Sequence, residues 1–154
     1  MAAMPRDGSA SFALTTQVRT RVRYAETDRM GLTYHAHYFA WCEMARSALF
    51  RQVGLPYTEL ETRGVFLPVV EAKLRYLNPL RYDDVVTVDV SVAYCKSGFI
   101  RFDYQIGRAD SEEDDAEVVS AAEGYTVHAF VDEAGQPVAV PDEVTALVAG
   151  AVGK

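Results

Sequence analysis

One stretch of this chain rules out most folds at once: AHYFAWCEMARSALFRQV, Ala36 to Val53, runs without a glycine or a proline. Its apolar side chains Tyr38, Trp41, Ala45, Ala48 and Leu49 recur at three- and four-residue steps and so share one helix face. Gly54 then offers a C-terminal stop, and Pro56 cannot continue the helix. No other segment has a helical period of comparable length. Whatever core the chain builds must therefore be one long helix packed against strands.

The flanking sequence supplies those strands. Gln17 to Tyr24 reads QVRTRVRY, in which Val18, Thr20, Val22 and Tyr24 alternate with polar positions. After Pro68, Val70, Ala72, Leu74 and Tyr76 face one way and Glu71, Lys73 and Arg75 the other. Asn78-Pro79 and the polar run Arg81 to Asp84 break that pattern. Val86, Val88, Val90, Val92 and Tyr94 then alternate with Thr87, Asp89 and Ser91. Lys96-Ser97-Gly98 reads as a tight connection into Ile100, Phe102, Tyr104 and Ile106. The acidic stretch Asp110 to Glu117 reads as a solvated hairpin loop before a last strand, Val118 to Val131, and a short helix follows Pro141. Strands joined by short polar turns predict an antiparallel meander. A sheet of about five strands can bury a single apolar-faced helix if it curls around it, which makes the fold class α+β.

At 154 residues with 49% apolar side chains, the chain suffices for one core, expected over residues 17–154 behind a loose N-terminal tail, 1–16. That tail has neither the apolar core of a secretory signal nor the length to span a bilayer. Net charge is −7, with no basic stripe to track a phosphate backbone, so nucleic acid is not an expected partner, nor is a membrane. Cys42 and Cys95 lie in helix and strand patterns outside any metal-ligand spacing, and are expected to be free thiols in a reducing cytoplasm.

The segment that carries chemistry is RYAETDRMGLTYHAHYFAW, Arg23 to Trp41. Asp28 sits in a polar connection, with Gly31 close behind and the helix a few residues on. Near a helix N-terminus a carboxylate meets a positive backbone potential and amides that lack intrahelical acceptors. Acyl transfer needs both parts, a nucleophile or base and donors for a developing oxyanion.

The pattern Tyr24-x-x-Thr27-Asp28-x-x-Gly31-x-x-Tyr34-His35-x-x-Tyr38, with Trp41 and the later LPVVEAKLRYLNPLRYDD, Leu67 to Asp84, resembles the hotdog-fold acyl-CoA thioesterases of the 4-hydroxybenzoyl-CoA thioesterase and YbgC type. The resemblance covers about residues 18 to 131. It implies a curled sheet wrapped around the helix, hydrolysis of an acyl-CoA without cofactor or metal, and a homodimer, often paired into a homotetramer. It also implies that Asp28 matches the family's catalytic carboxylate and His35 the position whose backbone amide, or side chain, faces the thioester carbonyl. Lys96 resembles the residue that reaches CoA phosphates across a subunit interface, with Ser97 beside it as a hydroxyl donor or a turn residue.

Other residues are weighed beside these. Tyr34 is a candidate wall of the acyl pocket, Tyr38 a core aromatic, His37 a surface or interface residue and Glu26 a solvated one. Glu43 and Glu71 are the carboxylates that could rival Asp28. Arg75, Arg101 and Arg108 are weaker CoA contacts than Lys96. The dehydratases of the same fold carry a Gly-Asp-x-Asn-Pro-x-His signature that does not occur here. A non-catalytic acyl-CoA binder and a thioesterase acting on acyl carrier protein are the remaining alternatives.

Overall fold

The computed structural model describes residues 14–152. Strand β1, Thr15–Arg21, leads through a single 3-10 turn, Tyr24–Glu26, and a polar loop into helix α1, His37–Gln52. A short helix α2, Tyr57–Thr62, precedes the strands β2, Val69–Tyr76, β3, Val85–Lys96, β4, Phe99–Ala109, and β5, Val118–Ala129. Helix α3, Asp142–Val152, closes the described chain. The five strands form one antiparallel sheet in the order β1-β3-β4-β5-β2, so β1 and β2 are its edges. No helix among the described residues is long and apolar enough to cross a membrane.

The helix ends where its sequence says it should. Gly54, at φ +80°, lets its own amide reach the Arg51 carbonyl at 3.1 Å and the Leu55 amide reach the Phe50 carbonyl at 2.9 Å. That paired return satisfies carbonyls a helix otherwise leaves open, and glycine adopts the left-handed conformation without strain. The face of α1 that packs into the sheet carries Tyr38, Trp41, Cys42, Ala45, Leu49 and Phe50. Each large apolar side chain removed from water contributes about 1.5–3 kcal/mol, enough to fix which face turns inward. Ala48 is only half-buried, and Arg46 is buried in that face instead.

Several sequence expectations shift. Tyr24 does not continue β1; it opens the 3-10 turn and is 79% exposed. The short α2 has no counterpart in the sequence reading. The tail expected over 1–16 lies mostly outside the described residues, and its last two residues, Thr15 and Thr16, are strand. Both cysteines are free thiols.

Candidate active site

The site grows from a buried carboxylate next to an exposed one. Glu26, expected to be solvated, is 2% exposed: Trp41 Nε1 donates to its Oε2 at 3.1 Å and the Arg23 amide to its Oε1 at 2.8 Å. What turns it inward is the indole N–H on the apolar face of α1, a polar handle that needs a partner when buried. The Glu26 carbonyl accepts the Tyr34 amide at 2.9 Å, and Thr27 bridges Thr33 in antiparallel fashion. Residues 28–32 are thereby pinched into a tight loop two residues beyond Glu26.

Within that loop the Asp28 amide donates to the Leu32 carbonyl at 2.7 Å, and Gly31 takes φ +78°. Asp28 Oδ1 accepts the amides of Met30 at 2.8 Å and Leu32 at 3.1 Å. Its Oδ2 has no hydrogen-bond partner among the described residues and the side chain is exposed. One oxygen fixes the carboxylate while the other stays available. This local turn is why an aspartate precedes the glycine.

Asp28 stands between two open clefts. One, of about 410 Å³, is lined by Asp28, Tyr34, His35, Tyr38, Tyr76 and Asn78, among others. The second, of about 670 Å³, runs past Tyr24, Arg29 and His37. His35 lies two residues ahead of α1, in the turn leading into it. The amides of Tyr34, His37 and Phe39 have backbone acceptors, whereas those of His35 and Ala36 have none among the described residues. The His35 carbonyl accepts the Tyr76 hydroxyl at 2.9 Å, which fixes the plane of the peptide that ends in the Ala36 amide. Tyr34 packs its ring on His35, with centroids 4.3 Å apart.

The structure thus brings Asp28, Tyr34 and His35 to one cleft. Tyr38 is a core aromatic, as expected, and burial pushes its hydroxyl up to about 12. Tyr76 and Asn78 line the cleft and were singled out only as part of a longer motif. Neither Glu43 nor Glu71 is there: Glu43 is exposed on α1, and Glu71 accepts the Tyr125 hydroxyl on the sheet's outer, polar face. Arg75 is engaged by Glu123 and Arg101 by Asp103. Lys96 and Ser97 sit apart from Asp28. Ser97, φ +56°, and Gly98, φ +80°, are the two residues of the β3–β4 hairpin turn, and Lys96 Nζ lies 5.1 Å from the Tyr94 ring centroid. No group of three or more His, Cys, Asp or Glu among the described residues is placed to hold a metal ion.

A curled antiparallel sheet wrapped around one long helix defines a hotdog-fold protein, and its candidate site is the cleft at the helix start. The model of the thioesterase-like superfamily matches residues 22–148, and the chain belongs to that superfamily. A provisionally named esterase of Aquifex aeolicus is 31% identical over 126 residues, covering 82% of this chain and 91% of that protein. YneP of Bacillus subtilis, provisionally named an acyl-CoA thioesterase, is 46% identical over 67 residues, 44% of this chain and 49% of that protein. The crystal structure of a hypothetical protein from Thermus thermophilus superposes with a TM-score of 0.77 at 34% identity, over 88% of this chain and 96% of that one.

Proposed function

We propose that this chain hydrolyses an acyl-CoA to the free acid and CoA, with Asp28 as nucleophile or general base and the amides at His35 and Ala36 polarising the thioester carbonyl. The observation that carries the reading is that one cleft is lined by both Asp28, whose Oδ2 has no partner among the described residues, and His35, whose amide, like that of Ala36 next to it, has no acceptor among them. YneP's provisional name supports the CoA ester over an acyl carrier protein thioester. On the nucleophilic route the carboxylate attacks the carbonyl carbon, CoA leaves as thiolate, and water opens the mixed anhydride. On the base route Asp28 takes a proton from the attacking water. In both, negative charge gathers on the carbonyl oxygen, where preorganised amides stabilise it most.

Neither route uses a cofactor or a metal ion, so turnover is expected to survive EDTA. The proposed assembly is a homodimer or a homotetramer of such dimers. Asp28→Asn tests the assignment, because it preserves size and most hydrogen bonding while removing the charge. It should fold, bind substrate and lose at least about 10²-fold in kcat for CoA release. Near-normal turnover in that variant, with loss instead in Glu43→Gln or Glu71→Gln, would sink the reading; binding without turnover in the unmodified protein would mark a carrier or sensor.

A further inference from the structure

Glu26 holds together the three pieces that the reaction needs in register. Its Oε1 accepts the Arg23 amide at 2.8 Å and lies 3.3 Å from the Arg23 Nε, and its Oε2 accepts the Trp41 indole at 3.1 Å. Its carbonyl takes the Tyr34 amide, the residue just ahead of His35. One residue therefore ties the turn at 24–26, the loop that carries Asp28 and the body of α1. Burying a carboxylate costs several kcal/mol unless its oxygens are fully engaged, and an apolar side chain packed against Trp41 would stabilise the same space at no such cost. The carboxylate makes sense as a geometric clamp: it fixes how far the Asp28 loop stands from the His35 amide.

We propose that Glu26 is a positioning residue for thioester hydrolysis, acting through Asp28 by holding it in register with the start of α1. The inference rests on Asp28 being the reactive carboxylate, and the experiment separates the two. Glu26→Gln keeps the shape but turns an NH₂ toward one of two N–H donors, so one clamp bond is lost. Trp41→Phe removes only the donor to Oε2 and keeps a ring in the core. Glu26→Gln should lower kcat for CoA release by about 10-fold or more, with KM changed less than about threefold, because displacing reacting groups by an ångström is felt in the chemical step. Trp41→Phe should lose kcat in the same direction and by less.

The deciding measurement is the double variant Glu26→Gln/Asp28→Asn. If Glu26 works through Asp28, the second substitution should add less than about twofold to the loss already caused by Asp28→Asn. A full multiplicative loss in the double variant would overturn the proposal. So would a Glu26→Gln protein with a lowered melting temperature and undiminished kcat, which is what a purely structural clamp predicts. Should Glu26→Gln not fold, an unchanged kcat in Trp41→Phe overturns it as well. Failure of the Asp28 assignment shows separately, in the single Asp28→Asn variant.

Discussion

Lys96, the CoA-phosphate candidate, lies far from Asp28 of its own chain. The loop bearing Asp28 is fastened to the start of β3, through the Leu32–Arg81 bridge and the Thr33 amide on the Leu80 carbonyl at 2.8 Å. Lys96 closes the other end of that strand, eleven residues beyond Val85 and roughly 35 Å away at the rise of an extended strand. Its ammonium meets no carboxylate among the described residues. Lys96→Ala should raise KM for CoA esters more than it lowers kcat, since a phosphate contact is shared by ground and transition states, and the penalty should shrink for a pantetheine thioester. Equal penalties on both substrates would show that Lys96 does not hold the nucleotide. Cys42 makes a complementary case. Burial pushes its thiol up to about 12, so a thiol reagent used to follow CoA release should not label it in the folded protein. At this scale the place of Asp28 was legible, a polar turn with Gly31 behind it and the helix ahead, but that pattern alone fits a turn or cap aspartate and its proposed role came from the family resemblance. The burial of Glu26 was not legible: nothing in a polar loop announces that an indole on the facing helix will draw one carboxylate inward.

At the scale of elements, the alternating strands and the long helix were readable because side-chain period alone decides them. Helix α2 escaped because six residues between Pro56 and Gly64 are too few to show a period. The buried Arg46 escaped because its partners come from elements distant in sequence. Its Nη1 donates to the Tyr104 hydroxyl at 3.0 Å, which lies 2.8 Å from Thr126 Oγ1, itself 2.9 Å from His128 Nε2. His128 Nδ1 is 2.9 Å from the Leu67 carbonyl, which can only accept, so Nδ1 carries the proton and Nε2 accepts from Thr126. The chain of donors then runs one way from α1 across β4 and β5 to the segment before β2. Desolvation, together with the Arg46 charge, lowers the His128 pKa from 6.5 to about 4. The folded protein therefore binds this proton less readily than the unfolded chain, and stability contributed at neutral pH is lost as pH falls from 6.5 towards 4. The loss is of the order of 3 kcal/mol. Carboxylates titrate in the same window, so the measurement is a difference: the melting temperature should fall more steeply over that range in the native chain than in His128→Asn. Parallel curves would remove His128 from the account.

At the scale of the whole molecule, β2 is the element that one chain leaves unfinished. Its alternation promised a covered face, yet Val69 is 50%, Val70 54%, Tyr76 43% and the adjoining Leu77 40% exposed, and its outer edge is free of strand partners among the described residues. Alternation shows that a face is apolar, not whether the cover comes from the same chain or from a second copy. An apolar edge strand left open invites pairing, and pairing about a two-fold axis is closed and self-limiting. Antiparallel pairing of two β2 edges would set the Val69 end of one copy beside the Tyr76 end of the other. The Lys96 turn belongs to the Val69 end of its own sheet, because the Phe130 amide bonds the Gly98 carbonyl at 3.1 Å and the Ala129 amide the Pro68 carbonyl at 3.2 Å. Each cleft would then combine Asp28 of one copy with Lys96 of the other. Light scattering should find a dimer or larger assembly at micromolar concentration. The sharper check mixes Asp28→Asn with Lys96→Ala by refolding them together. Every hybrid dimer would contain one site with both native residues and one with neither, so the mixture should regain about a quarter of native kcat/KM on a CoA ester, well above either parent. Activity in the mixture equal to the average of the parents would mean that Lys96 serves the Asp28 of its own chain or none, and would rule out the shared site.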